Sequence, residues 1–180
     1  MQNLARVCFC LALAAAPVFA DGWEEGARNT PELQPAFPGQ TRAPQITGDI
    51  ALAATVVAEG LDHPWGIAVL PEGGYLVTER SGALRQIGGD GGIGAPIEGV
   101  PDVLAEGQGG LLDISLAPDF AASRRIWLTY AKPVEGALSA TAAAFARLSA
   151  DGRSLEGLRE VFVQDPSSPT PAHYGSRVVP

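Results

Sequence analysis

Cysteine is nearly absent from this 180-residue chain, and both copies, Cys8 and Cys10, fall within its first twenty residues. That stretch reads as a leader: Arg6 supplies a positive start, Val7 to Ala16 an apolar core, and Val18-Phe19-Ala20 a small-residue cleavage site before Asp21. Residues 1–20 are therefore expected to be a signal peptide. The two cysteines precede the place of a lipid-attachment cysteine and read as small hydrophobes. The chain beyond residue 20 then has neither a disulfide framework nor a thiolate metal site. Long apolar runs are lacking too. The leader's core is too short to span a bilayer, so no membrane insertion is expected and a bacterial periplasm is the expected destination.

Positive charge is scarce. Lys132 is the sole lysine, and without Arg6 there remain 11 basic residues against 20 acidic ones. Such an acidic surface argues against nucleic acid and against an anionic membrane, and says nothing against neutral ligands such as sugars. Sustained helical periodicity is also missing. Glycine (22) and proline (15) are plentiful instead, which fits a turn-rich β protein.

Residues 21–49 carry Pro31, Pro35, Pro38 and Pro44 without an apolar period and read as an extended, proline-rich arm. Residues 50–180 change character. Short β-type runs are expected at Ala54–Ala58, Trp65–Leu70, Tyr75–Glu79, Ala83–Ile87, Leu111–Leu116, Ile126–Ala131, Ala142–Leu148 and Glu160–Val163. Turn signals separate several of them: Pro71-Glu72-Gly73-Gly74, Ser81-Gly82 and Asp151-Gly152. Ala140–Ala146 has the alanine content of a helix, but its place between turns favours a strand.

The runs repeat. Ile67-Ala68-Val69-Leu70-Pro71 resembles Ile114-Ser115-Leu116-Ala117-Pro118 at an offset of 47 residues, and each is followed by a second strand. A period of about 40–50 residues with about four strands per unit is the mark of a β-propeller. The expected fold is all-β: a partial propeller with about two blades present and a third beginning at Ser176. Because propellers close with roughly 4–8 blades, the chain is expected to be a fragment or a truncated, incomplete copy.

Two segments carry candidate chemistry. In Glu106-Gly107-Gln108-Gly109-Gly110-Leu111-Leu112, three glycines around one amide would let backbone and a ligand approach closely before a buried strand. Gln108 can donate and accept at once, which suits a hydroxyl-rich ligand, or it can cap neighbouring backbone. His173, in His173-Tyr174-Gly175-Ser176-Arg177, can take a proton near neutral pH. The residues alone leave a surface-loop histidine as an equal reading. Gly89-Asp90-Gly91-Gly92-Ile93-Gly94 spells a dinucleotide string, but no helix comes after it, so it reads as a loop. His63-Pro64-Trp65 reads as a structural corner with the tryptophan packed between blades, and Glu79-Arg80 as a strand-end contact. Asp113 and Asp119 do not make an acid/base pair, and Arg177 is a candidate partner for a carboxylate.

Taken together, Leu61 to Gly66, Val77 to Arg80, Glu106 to Leu112, Leu116 to Phe120 and His173 to Arg177 resemble the soluble aldose sugar dehydrogenases of the glucose/sorbosone dehydrogenase family. The resemblance runs from about Ala54 to Arg177 and would cover less than half of that family's domain. It implies a periplasmic six-bladed propeller using pyrroloquinoline quinone and calcium, with an aldose as substrate and an electron acceptor that is not identified. His173 matches the family's general base, and Gln108 a residue of the same pocket contacting substrate and cofactor. No metal ligand is expected in this chain, because the cofactor-clamping cations and the calcium loop lie in later blades. Ala172 stands where glucose-oxidising relatives carry a carboxylate. The competing reading is a non-catalytic periplasmic propeller that binds a carbohydrate or a protein.

Overall fold

The computed structural model describes residues 30, 32–37, 48, 51–136 and 138–180. The leader, and with it most of the arm, lies outside the described residues. The chain divides into two compact units, residues 1–53 and 54–180. In the first, the described residues include a short turn closed by the Leu33 N–H on the Thr30 carbonyl at 3.1 Å.

The second unit is built from two antiparallel sheets. β1 (Pro64–Val69), β2 (Tyr75–Glu79) and β3 (Leu84–Ile87) form the first, in that order. β4 (Leu111–Leu116), β5 (Arg125–Val134), β6 (Leu138–Leu148) and β7 (Leu155–Val163) form the second, with one helical turn, α1 (Phe120–Ser123), between β4 and β5. The expected β2 and β4 match in full, and the other paired runs match within a few residues. Ala54–Ala58 does not join a ladder: residues 56–58 instead line a groove over the outer face of the first sheet. The turns form where glycine permits them. Gly73 and Gly74, both at positive φ, close β1–β2 through Leu70 N–H to the Gly74 carbonyl at 3.0 Å.

The alanine-rich run is a strand, and its neighbours supply the reason. Ala140, Ala142, Ala144 and Ala146 are buried on the face of β6 that meets the core. Larger side chains from either side close over these small ones: the Tyr130 hydroxyl on β5 reaches Glu160 Oε2 on β7 at 2.7 Å. A helix would forfeit two ladders to satisfy a local preference worth only tenths of a kcal/mol per residue.

The sheets stack face to face. Leu76 and Leu84 of the first share one core with Leu111, Ile114, Ile126 and Leu128 of the second, all at or near zero exposure. β1 and β2 both pack against β4. The opposite face of β5 carries Trp127 and Thr129, and there residues 175–178 run across the second sheet. Ser115 Oγ donates to the Val178 carbonyl at 2.7 Å, and Thr129 Oγ1 donates to that of Ser176 at 2.5 Å. The segment at Ser176 therefore lies where a third unit would begin, held by side chains rather than by a ladder.

The 47-residue echo has a structural counterpart. Gly66 and Asp113 each sit where the ladder of their sheet shifts register, and each donates its backbone N–H to a threonine hydroxyl of the next strand, Thr78 at 2.8 Å and Thr129 at 3.0 Å. Thr78 Oγ1 passes its own hydrogen to the Leu112 carbonyl at 2.5 Å, as Thr129 does to Ser176. One hydroxyl thus joins each layer to the next.

Candidate functional site

The stacking brings three loops to one end of the layers: residues 61–63 before β1, 105–110 before β4 and 170–175 before the final segment. Arg80, at the end of β2, ties the first two together. Its N–H donates to the His63 carbonyl at 3.1 Å, and its carbonyl accepts from Leu111 N–H at 3.2 Å. Its guanidinium donates to the carbonyls of Gly109 (3.1 Å) and Ala105 (3.4 Å). The neighbouring Glu79 is buried. It accepts from Asp62 N–H at 2.8 Å and pairs with Arg85 at 3.0 Å. Both residues of the Glu79-Arg80 pair are structural, and Glu79 finds its cation on β3 rather than in Arg80.

Two glycines of the second loop make room for neighbouring backbone. Gly107 has φ +53, and a Cβ there would collide with the Pro171 carbonyl oxygen; Gly110 has φ +143, and a Cβ there would collide with that of Arg80. The close approach that these two glycines permit is of the protein's own backbone. Gln108, between them, is exposed.

Gln108 and His173 are brought together across 65 residues of sequence. Gln108 N–H donates to the Pro171 carbonyl at 2.9 Å, and His173 N–H donates to Gln108 Oε1 at 2.9 Å. His173 is exposed and holds φ +63, a left-handed conformation uncommon for a residue with a side chain. Among the described residues its imidazole has no hydrogen-bond or ion-pair partner.

The segment after His173 is pinned. Arg177 Nε lies 2.7 Å from Oδ2 of the buried Asp113, a charge contact whose N–H is not aimed along a hydrogen bond. Tyr174 and Ser139 share a hydroxyl hydrogen bond at 2.6 Å, and Gly175 N–H reaches Thr141 Oγ1 at 3.3 Å. Asp119, by contrast, accepts from Ser123 in α1, so the two aspartates make no pair. Trp65 is not packed between the sheets. It remains 51 % exposed, with its indole N–H 3.4 Å from Ser176 Oγ.

The second histidine is engaged differently. His63 Nδ1 sits 2.6 Å from Asp62 Oδ1, and hydrogen bonds from His63 and then Ser81 hold the exposed Asp62 carboxyl below its ordinary value. That pair belongs to the corner entering β1. Gly88 to Gly94 form a loop in which Asp90 Oδ1 accepts from Gly92 N–H at 3.0 Å, without a helix after it.

The arrangement joins an exposed histidine, its imidazole unpartnered among the described residues, to an exposed amide. A proton acceptor and an amide donor are groups that suit an oxygen-rich ligand, a quinone's carbonyl oxygens included. No group of three or more His, Cys, Asp or Glu side chains among the described residues is placed to hold a metal ion. Nor is any helix among them long and apolar enough to cross a membrane.

Residues 61–180 match the family model described as Glucose / Sorbosone dehydrogenase. The aldose sugar dehydrogenase YliI of Escherichia coli (strain K12) is 49 % identical over 125 residues, covering 69 % of this chain and 34 % of that protein. The crystal structure of the soluble aldose sugar dehydrogenase of Escherichia coli in the apo-form superposes with a TM-score of 0.67 at 48 % identity, over 69 % of this chain and 36 % of that one. The PQQ-bound aldose sugar dehydrogenase of Streptomyces coelicolor gives 0.50 at 27 % identity, over 69 % and 36 %. The chain thus spans about a third of the length of the relatives it matches. Its two stacked sheets are part of a β-propeller, and the chain belongs to the glucose/sorbosone dehydrogenase family.

Proposed function

We propose that this chain carries part of the active site of a periplasmic enzyme that oxidises an aldose sugar to its lactone with pyrroloquinoline quinone. The observation that carries the reading is the junction of Gln108 with the His173 loop, which ties the two candidate residues together across 65 positions of sequence. Family membership supports it, together with the names of the relatives above. His173 Nε2 or Nδ1 takes the proton of the anomeric hydroxyl. As the C–O bond gains double-bond character, the anomeric C–H bond breaks and its hydrogen leaves with the electron pair as hydride. Bound quinone supplies the two-electron acceptor for that hydride. Gln108 Nε2 donates to an oxygen of the ligand and orients it. Calcium, which the resemblance also implies, is assigned no residue and no step in this chain.

The test is reconstitution. With pyrroloquinoline quinone and calcium, a full-length protein carrying this chain is expected to reduce an artificial electron acceptor when given an aldose. His173→Gln and His173→Ala are each expected to lower turnover by about 10²–10⁴-fold, the usual contribution of a general base, while quinone still binds by absorbance titration. Turnover left intact in either variant would remove His173 from its assigned role.

A further inference from the structure

We propose that Gln108 is a positioning residue for His173, its amide oxygen accepting from the histidine backbone while its N–H₂ group is left for a ligand. The inference rests on the functional reading above and goes beyond it, because it divides one side chain between two tasks.

A backbone N–H can meet only an acceptor, so the atom 2.9 Å from His173 N must be the carbonyl oxygen of the Gln108 amide. The orientation of that amide is thereby fixed by chemistry, with Oε1 on the histidine backbone and Nε2 outside that contact. The clasp is reciprocal, since Gln108's own N–H is spent on the Pro171 carbonyl at 2.9 Å. Two hydrogen bonds therefore fix the loop at residues 171 and 173, on either side of Ala172. Between them they hold His173 at φ +63, which its Cβ disfavours. Release would let the backbone relax toward negative φ and swing Cβ, with the imidazole, to a new direction.

The clasp has a rigid base. Arg80 grips the loop by the carbonyls of Ala105 and Gly109. The missing side chain at Gly107 lets Pro171 come within reach. On the far side, Thr129 and Asp113 hold the segment after His173. The chain thus fixes both ends of a short arc whose middle carries the imidazole. On this arrangement Gln108 meets the ligand as a donor, and the ligand atom beside it is an acceptor oxygen.

Two substitutions separate the tasks. Gln108→Glu keeps an acceptor for His173 N–H and loses both donors; Gln108→Leu loses both functions. Amide hydrogen exchange at His173 reads the clasp without any need for turnover. The amide is expected to be protected in the parent and in Gln108→Glu at pH 7, and to exchange about fivefold faster or more in Gln108→Leu, as for loss of one hydrogen bond. In the quinone-loaded enzyme, Gln108→Glu should act chiefly on KM for sugar, whereas Gln108→Leu should lower kcat as well, with the smaller kcat loss in the glutamate variant. Equal protection in the parent and Gln108→Leu would overturn the proposal, as would a Gln108→Glu amide that exchanges as fast as that of Gln108→Leu. Should Gln108→Leu fail to fold, the glutamate variant against the parent decides alone. A parent without sugar-dependent turnover would sink the sugar-oxidation reading instead, leaving the exchange comparison to judge the clasp.

Discussion

At Glu160 a carboxylate, an ammonium and a phenol converge over a strand of alanines. Lys132 Nζ lies 2.8 and 2.9 Å from the two carboxylate oxygens, and Tyr130 donates to Oε2 at 2.7 Å. Burial by itself would raise the Glu160 carboxyl, but the hydrogen bonds from Lys132 and Tyr130, with the lysine charge, outweigh it and hold it below its ordinary value. Burial first, and then Glu160, push the Tyr130 phenol up. A carboxyl whose folded value is depressed contributes stability that is present above its unfolded value and lost as pH falls through the folded one. Thermal unfolding followed from pH 7 down to pH 3 is therefore expected to lose part of its midpoint on acidification, and Glu160→Gln to lose less over the same range. Parallel acid profiles for the two proteins would show that this cluster contributes nothing to the pH dependence. The pair is partly exposed, so the effect is modest and shrinks in high salt. Single residues were legible in the sequence where their chemistry is uncommon. The amide among three glycines and one of two histidines stand out by type alone, and these two come together in the fold. The sequence marks Arg80 only as half of a strand-end contact, because its hold on Ala105 and Gly109 depends on loop closure across 25 and 29 residues, which no local pattern records.

Between elements, the threonine hydroxyls act as joints. Thr78 is fully buried and accepts from Gly66 while donating to Leu112; Thr129 does the same for Asp113 and Ser176. Valine matches the shape of threonine but offers neither lone pair nor hydrogen. Thr78→Val is therefore expected to destabilise by about 1–3 kcal/mol, since it strands a buried N–H and a buried carbonyl. Thr129→Val is expected to cost less, because its acceptor lies in the more exposed final segment. Serine at either position should restore most of the loss. Urea unfolding of the four variants checks the order, and a Thr78→Val protein as stable as the parent would refute the joint. Element boundaries were readable where apolar runs end on glycine or proline, as at Tyr75–Glu79 and Leu111–Leu116. Ala54–Ala58 has the composition of a strand, yet it pairs with nothing, since pairing depends on a neighbour that composition does not name. The turn Phe120–Ser123 escaped notice because four residues are too few for a helical period; Phe120 anchors it by burial in the core.

Across the whole second unit, one core serves both sheets. Leu76 and Leu84 on one side and Leu111, Ile114 and Leu128 on the other fill a common layer, so neither sheet keeps its apolar face covered if the other opens. Burying each leucine side chain supplies about 1.5–3 kcal/mol, comparable to much of a small domain's net stability. The outer faces contribute far less. Ile67 and Val69 on β1, and Phe162 on β7, remain more than half exposed. The repeat in the sequence announced this stacking, because Gly66 and Asp113 stand 47 residues apart and occupy matching places in successive sheets. It could not announce which faces stay open, since apolar strands read alike on covered and uncovered sides. A shared core predicts shared unfolding. Trp65 reports on the first sheet and Trp127, 5.3 Å from the Phe145 ring, on the second; each can be read alone in variants whose other tryptophans are phenylalanine. Their urea midpoints are expected to coincide. Leu76→Ala and Leu128→Ala, each costing about 2–5 kcal/mol, should lower both midpoints together, although each truncation lies in one sheet only. If Leu128→Ala moved the Trp127 transition and left that of Trp65 in place, the two sheets would be separate folding units, and the buried layer between them a contact rather than a core.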